Sequence, residues 1–257
     1  MKKTFLLLAC MLLSMAAEAQ TVRGDLNGDG KLDVADVVTL VNMVLNQESS
    51  TVPAGLEAVD LGLPSGTKWA NMNVGAEKPE DVGLYFAWGE TTGYGSDVSD
   101  GRNFGYESYK WCNGTNATIT KYCLTEANGT VDNKSVLEPE DDAANVSWGS
   151  QWYMPTVTEI EELVSYTVPE WTTLNGVSGR KFTSTINGNS IFLPASGLRY
   201  ETDIYTQSTV GNYWSSMLYE LRSTMVYTFA FDADNLYTRN RYGDRTSGCT
   251  IRPVFRK

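Results

Sequence analysis

Apolar positions along this chain change their spacing twice. From Phe5 to Met15 they run almost unbroken, interrupted by Ser14, with Lys2 and Lys3 before them and Ala17-Glu18-Ala19 after. A basic start, a short apolar stretch and a small-x-small triplet predict a signal peptide over residues 1–19, cleaved before Gln20. The same segment has a rival reading: Leu7-Leu8-Ala9-Cys10 as a lipobox, which makes Cys10 a lipid-bearing N-terminus but leaves five apolar residues ahead of it. No other stretch approaches the ~18 consecutive apolar residues of a membrane span.

Next, Val34, Val37, Val38, Val41, Val44 and Leu45 recur at i, i+3, i+4 and i+7, which predicts a helix with one apolar face. Residues 47–56 break the period with Ser, Pro and Gly and read as a linker. Over residues 57–257 apolar runs are short and Gly and aromatics are frequent, predicting many short strands, few helices and one core. Lys181 to Ile186, Asn187-Gly188, then Asn189 to Pro194 predict a hairpin on a type I′ turn. Thr156 and Glu159 form a capping box ahead of Val157, Ile160, Leu163 and Val164. Pro139 opens a second short helix, with Glu140, Asp141 and Asp142 at its positive end. Met225 to Phe231 and Thr250 to Phe255 read as core strands.

Composition narrows the chemistry. The 257 residues are 42% hydrophobic and 20% charged, an ordinary globular balance, and include no histidine. Ser-His-Asp and Cys-His nucleophiles, a histidine base and a His-containing zinc site are therefore excluded. A net charge of -11 repels phosphate backbones, so calcium, neutral glycans and proteins are the expected partners.

The densest motif is Asp25-Leu-Asn27-Gly-Asp29-Gly30-Lys31-Leu-Asp33-Val-Ala-Asp36. Side-chain oxygens stand at loop positions 1, 3, 5, 9 and 12, glycine at 6, and the Lys31 carbonyl is available at 7. That donor set predicts calcium held by Asp25, Asn27, Asp29, Lys31, Asp33 and Asp36. Loop followed by helix, with Asp at position 12, resembles a single repeat of a type I dockerin, occupying residues 20–46. The resemblance implies a cohesin-like partner chosen by Val34 and Ala35. The competing reading is a calcium-stabilised cap on this chain.

Further phrases carry a second resemblance: Val59-Asp-Leu-Gly-Leu-Pro-Ser-Gly-Thr-Lys-Trp69-Ala, Tyr85-Phe-Ala-Trp88-Gly-Glu90, Leu137-Glu-Pro-Glu-Asp-Asp-Ala-Ala, Met154-Pro-Thr, Ile191-Phe-Leu-Pro, Tyr213-Trp-Ser-Ser and Ile251-Arg-Pro-Val. Residues 57–257 are similar to the major-paralogous-domain (FISUMP) family of exported bacterial proteins. Pro139 to Leu163 also resembles a run in formylglycine-generating enzymes. This implies an α+β, C-type-lectin-like fold of small twisted antiparallel sheets and few helices. Those enzymes use paired cysteines near the C-terminus; here Tyr237 to Arg245 contains none, so their oxidation is not implied.

Among the remaining candidates, Glu138, Glu140, Asp141, Asp142 and Asn145 read as favourable charge at a helix start, against a second calcium site or a catalytic pair. Trp88, Trp148, Trp152, Tyr213 and Trp214 belong to the predicted core. Tyr109 and Trp111, in a polar loop, are the expected exposed rings for a sugar or protein partner. Cys112 and Cys123 flank a polar loop in an oxidising compartment and are the expected disulfide, with Cys249 as a buried thiol. The sequence thus predicts an exported, non-catalytic calcium-binding protein, secreted or in the envelope of a Gram-negative-type bacterium, whose large domain binds a glycan or protein. The alternatives are a carboxylate-based polysaccharide hydrolase or accessory subunit, and a structural surface protein.

Overall fold

The computed structural model describes residues 31, 33–38, 52–239 and 241–256. The chain divides into two compact units, Met1–Ser49 and Ser50–Lys257. In the first, residues 34–38 are helical. The predicted signal peptide with Cys10, and the apolar positions Val41, Val44 and Leu45, lie outside the described residues.

The second unit is built mostly of small antiparallel sheets with few helices. β1 (Ala58–Val59), β2 (Lys68–Ala70), β13 (Val254–Phe255) and β3 (Trp152–Tyr153) form one sheet in the order β1-β2-β13-β3. β4 (Thr167–Leu174), β5 (Val177–Ser184) and β6 (Ser190–Pro194) form a meander. β7 (Leu198–Tyr200) and β8 (Asp203–Tyr205) are a two-stranded ribbon. β10 (Met225–Phe231) carries β9 (Gly211–Leu218) along its length, and also pairs with β11 (Leu236–Tyr237) and β12 (Tyr242–Asp244). Two helices of the large unit flank β3 in the chain: α1 (Ala143–Trp148) precedes it and α2 (Val157–Ser165) joins it to β4. Among the described residues no helix is long and apolar enough to cross a membrane.

Local chemistry explains most of these elements. The α2 capping box forms as predicted: Glu159 N donates to Thr156 Oγ1 at 3.2 Å and Thr156 N donates to Glu159 Oε2 at 2.8 Å. Val157, Ile160 and Leu163 then fall on its buried face. The helix predicted from Pro139 arrives in two pieces, a 3₁₀ turn at Pro139–Asp141 and α1, because Asp142 becomes a fresh N-cap. The hairpin around Asn187-Gly188 is also present, with Thr183 opposite Ser190. Its turn is longer than the expected two residues. The Gly188 N–H closes onto the Ser184 carbonyl, four residues back, and the left-handed conformation falls on Gly188 at φ 78°. β10 matches the predicted Met225 to Phe231, whereas Thr250 to Phe255 is a strand over its last two residues only.

Three apolar clusters fill the large unit. One gathers Trp88, Trp148, Trp152 and Trp214, the second Trp69, Phe182, Tyr213, Phe229 and Phe231, and the third Tyr85, Ala87, Phe104 and Tyr109. The predicted core aromatics are accordingly buried. Trp88 Nε1 donates to the Ser215 carbonyl at 2.9 Å and Trp214 Nε1 to the Phe86 carbonyl at 2.7 Å, so both indoles bury without an orphaned donor. Arg199, Arg245 and Arg252 are also fully buried. Only Arg199 of these meets a carboxylate, Asp100, at 2.7 and 2.9 Å. Arg245 is neutralised by dipoles instead: it donates to Tyr109 Oη and to the carbonyls of Lys121, Tyr122 and Ser223, at 2.8 to 3.0 Å.

Candidate functional site

Of the predicted calcium ligands, Asp25, Asn27 and Asp29 lie outside the described residues. Lys31 and Asp33 are exposed and Asp36 is buried. Asp33 Oδ1 accepts from Ala35 N at 2.7 Å, and Asp36 Oδ2 accepts from Asp33 N at 2.9 Å. Each carboxylate thus accepts from a backbone N–H at the first turn of the 34–38 helix and caps it. The oxygen-only donor chemistry of this start fits a hard cation. Among the described residues no group of three or more His, Cys, Asp or Glu side chains is placed to hold a metal ion. Val34 and Ala35, the expected partner contacts, are exposed, as are Val37 and Val38.

The large unit revises the two expected rings. Tyr109 is buried: its hydroxyl donates to the Trp88 carbonyl at 2.6 Å and accepts from Arg245 Nε at 2.9 Å. A buried guanidinium without a carboxylate needs every acceptor near it, and the phenol is one. Trp111 is half-buried. Its Nε1 donates to the Gly89 carbonyl at 2.8 Å, and Lys110 Nζ and Lys121 Nζ stand 4.2 and 5.1 Å from the ring centroid. The protein's own cations hold this ring, so it is not the free stacking surface expected.

The disulfide is also corrected: Cys112, Cys123 and Cys249 are free thiols. A tight turn through residues 113–118 sets Cys112 opposite Ile119, not opposite Cys123. The Cys112 thiol donates instead to the Tyr106 carbonyl at 2.9 Å, and Cys123 to the Thr125 carbonyl at 3.2 Å.

The acidic cluster is engaged internally, in keeping with the helix-start reading. Asp142 caps α1 through the N–H groups of Ala144 and Asn145 and also accepts from Met154 N; burial outweighs these bonds and pushes its carboxyl up to about 6. Asp141 binds Lys121 Nζ at 2.6 Å and Tyr122 Oη at 2.7 Å. Glu138 is lowered to about 2, first by its bond from Lys121 and then by Lys134.

A different place brings together functional groups from three distant parts of the chain. Asn103, Gly105, Tyr106 and Glu107, then Tyr200 and Glu201, then Asp244 and Thr246 line an open cleft of about 330 Å³. Phe104 anchors the first segment. It is fully buried, its backbone exchanges two hydrogen bonds with Glu201, and the Arg102 and Arg199 guanidiniums each lie 5.1 Å from its ring centroid. Gly248 lets the ring in, because a Cβ there would stand 2.7 Å from it. The Phe104 pairing fixes Glu201 at the β7–β8 tip, where it adopts φ 51°, a costly conformation for a residue with a Cβ.

At the floor of this cleft, Tyr106 Oη donates to Asp244 Oδ2 at 3.0 Å. Asp244 Oδ1 accepts from Thr246 N at 3.0 Å and from Thr246 Oγ1 at 2.8 Å. Burial, and then the Asp244 carboxylate, push the Tyr106 phenol far above its ordinary value, so it stays protonated and remains a fixed donor. A carboxylate offers about four acceptor sites, and three are in use. Tyr200 exposes 44% of its surface at the rim, and Glu107, Glu201 and Asn103 are exposed. Sequence reasoning missed this cleft. Its residues are ordinary turn residues spread over more than a hundred positions, and no local spacing marks them.

No family model, no curated protein and no solved structure matches this chain.

Proposed function

We propose that this is an exported binding protein whose large unit takes a glycan in the Tyr106–Asp244 cleft and whose N-terminal loop holds calcium. The observation that carries the reading is the convergence of three segments on an open, half-exposed cleft edged by hydroxyl, amide and carboxylate groups. Such a lining exchanges hydrogen bonds with a polyhydroxyl ligand, and Tyr200 adds a ring for its apolar face. The Phe104 anchor presets the cleft, so little ordering is lost on binding. Tyr106 and Asp244 orient one another and act as donor and acceptor rather than as an acid–base pair, which favours binding over turnover.

The C-type-lectin-like fold and membership of the FISUMP family are part of the same proposal, supported by the run of phrases from Val59 to Val254 and by the small-sheet architecture. At the N-terminus, Asp25, Asn27, Asp29, the Lys31 carbonyl, Asp33 and Asp36 hold the ion, which supplies charge neutralisation to an acidic loop. The dockerin-like character of residues 20–46 makes this unit the attachment, with Val34 and Ala35 facing a cohesin-like partner. Export to the envelope or beyond follows from residues 1–19.

A glycan array probed with the exported protein, with and without a chelator, tests the reading. Saturable binding without release of reducing ends is expected, together with calcium heats in calorimetry that vanish in Asp25→Ala. Release of reducing ends would favour the hydrolase instead. Equal calcium heats from both proteins would remove the metal.

A further inference from the structure

The strand that brings Asp244 to the cleft carries a tyrosine on the same side. In β12, Tyr242 and Asp244 are two residues apart, and the strand alternates faces. Gly243 between them faces the core: a Cβ there would meet Thr228 at 3.3 Å and Trp214 at 3.4 Å. Tyr242 and Asp244 therefore share the outer face, about 7 Å apart along the strand. Tyr242 pairs across the sheet with Tyr227, next to a shift in the β9–β10 register between Val226 and Thr228.

The Tyr242 ring is fixed before any ligand arrives. It stacks on Tyr219 with centroids 4.4 Å apart and planes 9° from parallel. Tyr219 in turn meets Tyr227 edge-on at 5.4 Å, and the buried Tyr227 donates its hydroxyl to Glu220. One face of Tyr242 is covered by Tyr219, yet 44% of the residue is exposed. Unlike Trp111, no lysine or arginine of the described residues stands over this ring.

We infer that Tyr242, backed by Tyr219, is a second sugar subsite continuing the Tyr106–Asp244 cleft, so that the ligand is a neutral linear oligosaccharide lying along β12. The inference rests on the glycan reading of the cleft and deepens it. The apolar C–H face of one sugar ring covers the open face of Tyr242, while the hydroxyls of its neighbour reach Asn103, Asp244 and Glu201. The carboxylates along the path, Glu107, Glu201 and Asp244, select against a polyanion. A preset ring costs little to order, which makes such a platform effective for its size.

The test is calorimetric titration of the full exported chain with linear neutral glucans, mannans and xylans of one to six sugar units. In the native protein affinity rises with length. Tyr242→Ala loses about two- to tenfold for the long members, the scale of one aromatic stack, and leaves the shortest unchanged. Tyr242→Phe keeps the ring and keeps the gain, and Asn103→Ala weakens short and long alike. Long-chain affinity unchanged in Tyr242→Ala overturns the subsite and leaves the cleft reading standing. Short and long weakened equally by Tyr242→Ala also overturns it. Failure of every sugar to bind the native protein overturns both.

Discussion

The rings around Trp111 and the rings around Tyr242 are both aromatic clusters of the large unit, and they end in opposite states. Trp111, Tyr109 and Tyr122 sit among Lys110, Lys121 and the fully buried Arg245. Each cation takes a ring, a phenol or a carbonyl, and the cluster closes. Tyr219, Tyr227 and Tyr242 lie at a sheet end where the neighbouring charge, Glu220, is satisfied by one phenol. A neighbouring cation, Arg239, is taken by Glu161, so the rings stack on each other and one face stays open. A polar sequence context predicts exposure only when nothing in the fold needs the ring.

That contrast can be broken most directly at Arg245. Arg245→Met leaves Tyr109 Oη and three buried carbonyls without a donor, and the unfolding free energy from urea denaturation should fall by about 3–5 kcal/mol. Tyr242→Ala should change it by no more than about 1 kcal/mol, as at other exposed positions. Equal losses from the two would show that the closed cluster owes nothing to its cation.

Tyr109→Phe is the next largest step. It strips an acceptor from Arg245 and a donor from the Trp88 carbonyl, both buried, for about 1–3 kcal/mol by the same measurement. A neutral result would return Tyr109 to the role of a plain core ring.

Acid should loosen the closed cluster. Glu138 is held below its ordinary value first by Lys121 and then by Lys134, reaching about 2. A carboxyl with a depressed folded pKa contributes stability above its unfolded value and loses it as pH falls through the folded one. Lys121 should therefore lose its Glu138 partner, though not its bond to Asp141, progressively between about pH 4.5 and 2, and hold Trp111 less tightly. Acrylamide quenching of the emission difference between the native protein and Trp111→Phe should rise over that window. A flat difference would separate the ion pair from the ring.

Lys110→Ala gives the smallest effect. Its ammonium is half-exposed and 3.5 Å from Asp141, so stability should change by less than about 1 kcal/mol. Quenching of Trp111 should nevertheless increase, because the cation 4.2 Å from its centroid is gone.

Local rules were readable in advance wherever the cause lay within a few residues. Thr156 and Glu159 form their box because both donors and both acceptors fall within one turn. β10 is an apolar β-former run, and it is a strand over the residues expected. The same reading failed where a distant partner or an unforeseen turn intervened. Tyr109 was expected outside, and Arg245, 136 positions along, pulls it in. Cys112 and Cys123 looked like the ends of one loop, and a tighter turn inside that loop set Ile119 across from Cys112.

The amino-acid order alone determined the short-strand, few-helix character of residues 57–257, the α2 cap, the aromatic core and the all-oxygen chemistry of residues 25–36. These depend on spacing, propensity and composition, which are local. Only the tertiary structure decided which rings stay open and which polar groups meet. Phe104, Glu201 and Asp244 are far apart along the chain, and their meeting depends on strand pairing and on which buried cations still need a partner. Neither is written in any single stretch of residues.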